Sequence, residues 1–140
     1  MPIRQGITTS FKQQMLQSQQ NLSTNTLKIA LYTAFSDIGP DTTVYTATNE
    51  VPNGNGYTTG GETLTGVTVN TSPDGVVYIS FNNVVWNPAS FTCRGALIYN
   101  TTQSNASVAV LDFGSDKTAT GTFTVTMPPN TATTALIRFP

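Results

Sequence analysis

Phe91-Thr-Cys-Arg-Gly-Ala-Leu-Ile-Tyr-Asn100, followed by Val108-Ala-Val-Leu-Asp-Phe-Gly114, decides the fold class of this chain. Both runs are short and apolar and are bounded by Asn, Ser and Gly, so both read as strands of a packed β-domain. The same grammar recurs on either side. Residues 26–33 alternate, with Leu27, Ile29 and Leu31 on one face. Residues 62–70 and 76–81 form a hairpin pattern around the turn signal Ser72-Pro-Asp-Gly75, with a bulge expected at Gly66. Residues 84–86 make a short strand that Asn87-Pro88-Ala89 should break, and residues 121–127 and 134–139 complete the set. About seven to nine short strands at this spacing, without a βαβ pattern, imply an all-β antiparallel β-sandwich, jelly-roll-like in topology.

Two segments depart from the strand pattern. Residues 8–20 form the only plausible helix, with Ser10 as N-cap and Gln13 reaching back in a capping box. Phe11 and Met15 lie four apart on one face with Leu16 beside them, and glutamines cover the rest. A helix this short needs its apolar stripe docked, either on its own sheet or on a neighbouring subunit. The expected division is an N-terminal arm over residues 1–24 and a sandwich domain over 25–140. The second departure is a long polar connection from residue 34, rich in turn signals such as Gly39-Pro40-Asp41 and Asn53-Gly54, with a short edge strand at Val44 and Tyr45. Long connections on a rigid scaffold often carry function.

Composition narrows the chemistry. At 140 residues the chain suits one domain with a real core. Thr is its commonest residue, and charged residues are only 9%, which gives a neutral polar surface. Six basic and seven acidic residues are spread thinly, with no basic run of the kind a nucleic-acid binder shows. No apolar stretch is long enough for a membrane helix. The opening residues lack a secretory pattern, so synthesis in a reducing cytosol is expected, and the sequons at Asn21, Asn70, Asn100 and Asn105 read as chance.

With no histidine, Ser-His and Cys-His catalysis is excluded, and the three lysines sit in no recognisable Ser-Lys motif. Cys93 has no partner for a disulfide and reads as a buried thiol. Asp112 and Asp116 flank Gly114 without a calcium-loop pattern, and a cross-strand ion pair between Asp112 and Arg94 is the expectation. The Gly-rich segments lack a phosphate-loop lysine. Among the aromatics, core packing is the first reading, with Trp86 beside Asn87-Pro88 as the one to watch as a surface anchor. No catalytic, cofactor or metal residues emerge, and the chain reads as a non-enzyme.

Four segments resemble a family of small structural proteins of tailed-bacteriophage virions. They are residues 26–33, the stretch from Tyr45-Thr-Ala-Thr-Asn-Glu50 to Tyr57-Thr-Thr-Gly-Gly61, residues 89–100 and residues 108–117. Arg94-Gly-Ala-Leu-Ile-Tyr-Asn100 and Leu111-Asp-Phe-Gly114 are the most specific, and the likeness runs from about residue 10 onward. The resemblance implies a virion component made in the bacterial cytoplasm, without catalytic residues. The favoured role is a capsid decoration (cement) protein on the capsid surface. Its partners would be the major capsid protein and further copies of itself, a trimer before other homo-oligomers. The alternative is a tail, fibre or baseplate part, with host-glycan binding if Trp86 or Tyr57 is exposed. The N-terminal segment and the 34–61 loop are the expected contact regions, with Phe11, Met15, Leu16, Tyr45, Tyr57 and Trp86 as interface candidates.

Overall fold

A computed structural model describes residues 3–131 and 133–139. The expected arm and sandwich ranges also include residues 1, 2, 132 and 140, which lie outside the described residues. The fold is all-β and sandwich-like, with 43% of residues in antiparallel strands and 8% helical.

One layer is a five-stranded sheet in the order β1-β8-β7-β2-β3. It comprises β1 (Gly6–Ile7), β2 (Leu27–Tyr32), β3 (Glu62–Thr63), β7 (Thr92–Asn100) and β8 (Ala106–Thr118). The other layer holds two smaller sheets. One is β10-β5-β4, built from β4 (Thr68–Thr71), β5 (Val77–Ser80) and β10 (Ile137–Phe139). The other pairs β6 (Val84–Ala89) with β9 (Gly121–Val125). The run that opens the sequence reading is the central strand β7, flanked by β2 and β8.

The large sheet is buried on both faces. Leu27, Ile29 and Leu31 join Ala96, Ile98 and Val108 in the inter-layer core, where Trp86, Val84, Ile79 and Ile137 of the second layer meet them. Ala30 and Tyr32 face the other way, into a smaller cluster with Leu97, Tyr99, Val110, Ile3 and Ile38. Two-sided burial explains why β7 reads as a continuous apolar run rather than an alternating one.

The sole α-helix among the described residues, α1 (Thr9–Leu16), is shorter than expected and starts differently. Thr8, not Ser10, is its N-cap, and the Thr8 hydroxyl accepts from the Phe11 N–H at 3.3 Å. Ser10 is already the second residue of the helix, too late to cap it, and its hydroxyl pairs with that of Ser107. Within the described residues 3–24, the segment packs on the sheets instead of projecting from them as an arm. Phe11 is fully buried in the inter-layer core, and β1 is hydrogen-bonded to β8. Segment 20–25 is tied down by the fully buried Asn100 amide, which donates to Gln20 Oε1 and Asn25 Oδ1 at 3.0 and 2.9 Å.

Three strand boundaries also shift. The expected 62–70 strand is two pieces, β3 in one layer and β4 in the other, and Gly66 lies in the crossing with φ +66°. Strand β6 continues through Asn87-Pro88 to Ala89, because a register irregularity after Trp86 absorbs the proline and pairing resumes at Ala89 with Gly121. Strand β8 runs past Phe113 to Thr118, paired at its end with Thr92.

Candidate functional site

Two features stand out from the packed body: a latched loop on one side of the large sheet and an open groove on the other. The loop is the 34–61 connection. It closes over the smaller cluster, and a carboxyl group that pattern reading did not single out holds it there. Glu50 is 8% exposed and accepts hydrogen bonds from the hydroxyls of Tyr45 and Tyr57 and, at 2.8 Å, from the Gly60 N–H. Around this hub the Tyr57 oxygen accepts from the Leu31 N–H at 3.0 Å, tying the loop to β2. The Tyr32 hydroxyl donates to the Thr46 carbonyl at 2.6 Å, and the Tyr99 hydroxyl to the Gly60 carbonyl at 2.5 Å. Tyr45 stacks on Tyr99 with ring centroids 4.7 Å apart. Gly61, at φ +82°, runs so close to β2 that a Cβ there would sit 1.8 Å from the Ile29 carbonyl oxygen.

Burial and the neighbouring Glu50 work in the same direction on these phenols. Both keep Tyr32, Tyr45 and Tyr57 protonated well above the ordinary tyrosine range, burial being the larger cause in each. Tyr99 is pushed up to about 12, by burial first and Glu50 second. The network therefore consists of hydroxyl donors around one acceptor, an arrangement suited to holding a loop.

The groove lies between the C-terminal half of α1 with the 20–23 segment and one face of the β10-β5-β4 sheet. It encloses about 720 Å³. Val77, Ile79 and Phe139 of the small sheet line it, continuous with the inter-layer core, and Leu22 closes one side. Three of the large apolar side chains that remain in solvent converge here: Met15, Val69 and Leu16, the last 89% exposed. Lys12 is the one charged residue lining the groove, and it makes no ion pair among the described residues.

The expected interface residues divide sharply against this geometry. Met15 and Leu16 line the groove. Tyr45 is half-buried in the latch. Phe11, Tyr57 and Trp86 are buried, at 0%, 2% and 2% exposure, and have no surface to offer a neighbour. Trp86 as a surface anchor is thus overturned. Its ring packs between Tyr57 and Phe123, with centroids 6.4 and 5.9 Å away, in a cluster that Phe91 and Phe113 extend. Pairing with β9 turns β6 so that Trp86 faces inward.

Cys93 is fully buried, and burial pushes its thiol up to about 12, far from a reactive thiolate. Arg94 and Asp112 do approach across β7 and β8, at 3.7 Å, and the Arg94 guanidinium also donates to the Gly114 carbonyl. Among the described residues no group of three or more Cys, Asp or Glu side chains gathers as a metal site, and no helix is long and apolar enough to cross a membrane. Compared with protein-family models, curated proteins and solved structures, the chain matches none.

Proposed function

We propose that this chain is a bacteriophage virion structural protein, a decoration protein that binds the major capsid shell as an oligomer. The observation that carries the reading is the pairing of a rigid, sparsely charged β-scaffold with an apolar surface groove in which no titratable groups converge. Such a groove suits the docking of polypeptide more than the turnover of a substrate. The resemblance of the β2, β7 and β8 segments to small virion proteins supports the same direction. A protein present in many copies gains avidity, so modest contacts per subunit with the shell are enough.

The tail or fibre reading with glycan binding loses its aromatic argument, because Trp86 and Tyr57 are buried. Quantitative mass spectrometry of purified virions, with heads and tails separated, tests the proposal. Many copies per head are expected. A low copy number confined to tails moves the protein to the tail, and absence from both fractions rejects the virion role.

A further inference from the structure

The two most exposed large apolar side chains among the described residues are Leu16, 89% exposed on the rim of the groove, and Phe35, 81% exposed on the latched loop. Phe35 does not project because its backbone is loose. Its carbonyl accepts from the Asn49 amide at 3.0 Å, and the Ser36 N–H donates to the Thr33 carbonyl at 3.1 Å. Two residues on, the Ile38 carbonyl accepts from the Arg4 N–H at 3.0 Å. The segment alternates: Ser36 and Ile38 point inward at 2% and 3% exposure, while Phe35 and Asp37 point out together. The result is a fixed aromatic knob with a carboxylate two residues away. Asp37, like Lys12, makes no ion pair among the described residues.

Knob and groove match in apolar character and are opposite in charge. The groove is apolar, has room for an aromatic ring with the residues beside it, and carries the single cation Lys12. The knob is aromatic and carries the single anion Asp37. Most charges of this sparsely charged chain lack an ion pair among the described residues, but Lys12 is the charge that lines the groove and Asp37 the one that projects beside Phe35, so the two surfaces carry opposite signs. One copy cannot bring them together. Ile38 belongs to the cluster on one face of the large sheet, and the groove opens from the core on the other face.

We propose that the groove receives Phe35 of a second copy of this chain, with Asp37 of that copy pairing with Lys12. Two different patches on each subunit then meet head to tail, an arrangement that closes into a ring or propagates rather than stopping at a two-fold dimer. A pre-ordered knob lowers the entropy cost of docking. The proposal deepens the assembly role above and rests on it only for its biological purpose. Self-association of the purified chain tests it without a virion, so either can fail alone.

The experiment is sedimentation velocity of the full chain against concentration, with variants at exposed positions whose folding is checked by circular dichroism. Wild type is expected to associate. Phe35→Ser, which removes the knob, and Lys12→Glu, which sets like charges against each other, are each expected to weaken association at least about tenfold. Lys12→Glu combined with Asp37→Lys in one chain should recover most of it. Mixing Phe35→Ser, whose groove is intact, with Lys12→Glu, whose knob is intact, should give a one-to-one complex and nothing larger. A wild-type chain that stays monomeric up to about 1 mM overturns the proposal. So does a Phe35→Ser chain that associates like wild type, or a charge swap that fails to rescue. In those cases the groove serves another partner or none.

Discussion

The two sides of the large sheet are closed by opposite means. On the side of the latched loop, little regular structure is present, yet the sheet is sealed: Glu50 gathers two tyrosine hydroxyls and a backbone N–H, and Ile38 and Tyr45 fill the space beneath. On the other side regular strands supply the second layer, yet the seal is incomplete, because the small sheet and α1 leave about 720 Å³ open between them. Irregular chain can fit a surface closely when buried polar groups fix its path. Regular elements must meet at preferred angles, and where a short helix crosses a three-stranded sheet the fit leaves a gap. Order in the backbone and completeness of the core are separate properties in this molecule.

The comparison breaks most directly at Phe11. If α1 belongs to the core, as its fully buried ring indicates, Phe11→Ala should cost about 3–5 kcal/mol in chemical denaturation. A loss under about 1 kcal/mol would make the N-terminal segment a detachable arm after all. Next in size is the latch. Glu50→Ala leaves one buried and one half-buried phenol and the Gly60 N–H without their acceptor, and should cost roughly 2–4 kcal/mol. It should also raise hydrogen exchange across residues 34–61 well above that of β7. Uniform destabilisation without local loosening would show that the loop is held by packing alone.

The latch also sets a pH dependence. Burial and Glu50 push Tyr99 up to about 12 in the folded chain, and Tyr32, Tyr45 and Tyr57 are raised further. Unfolded tyrosine loses its proton near 10. Above that pH the unfolded state binds fewer protons than the native one, so stability falls as pH rises. The contribution is intact below about pH 10 and is lost progressively through 12 and beyond. Thermal melts should therefore decline gently from about pH 8.5, where the unfolded Cys93 thiol ionises and the buried one does not, and more steeply above about pH 10 as the tyrosines add to it, and Glu50→Ala should soften the steeper part. The smallest effect belongs to the open side: Leu16→Ser should change stability by no more than about 0.5 kcal/mol, because Leu16 is already in water. A larger loss would mean the groove is closed in solution.

The strands were legible because their signals are local. Leu27, Ile29 and Leu31 do share a face, Ser72-Pro-Asp-Gly75 does turn a hairpin between β4 and β5, and Asp112 does meet Arg94. Position was less legible than type. Ser10 and Thr8 are both good caps, and the approach of β8 separates them: the Thr8 N–H donates to the Val108 carbonyl at 3.0 Å, which leaves Thr8 extended just ahead of the first turn. Trp86 stood out among aromatics read first as core, as a candidate surface anchor, because Asn87-Pro88 follows it, and Glu50 looked ordinary because a lone acid in a polar loop has no pattern.

By itself the sequence determined that this chain is antiparallel β, sparsely charged and without histidine chemistry, since strand alternation, turn residues and composition are properties of neighbours along the chain. The tertiary structure alone decided which apolar residues are inside. Phe11, Tyr57 and Trp86 are buried while Leu16 and Phe35 are not, although the two left in water carry no polar atom and Tyr57 and Trp86 each do. Burial depends on what arrives from elsewhere in the chain: β9 across from Trp86, Glu50 beneath Tyr57, and nothing over Leu16.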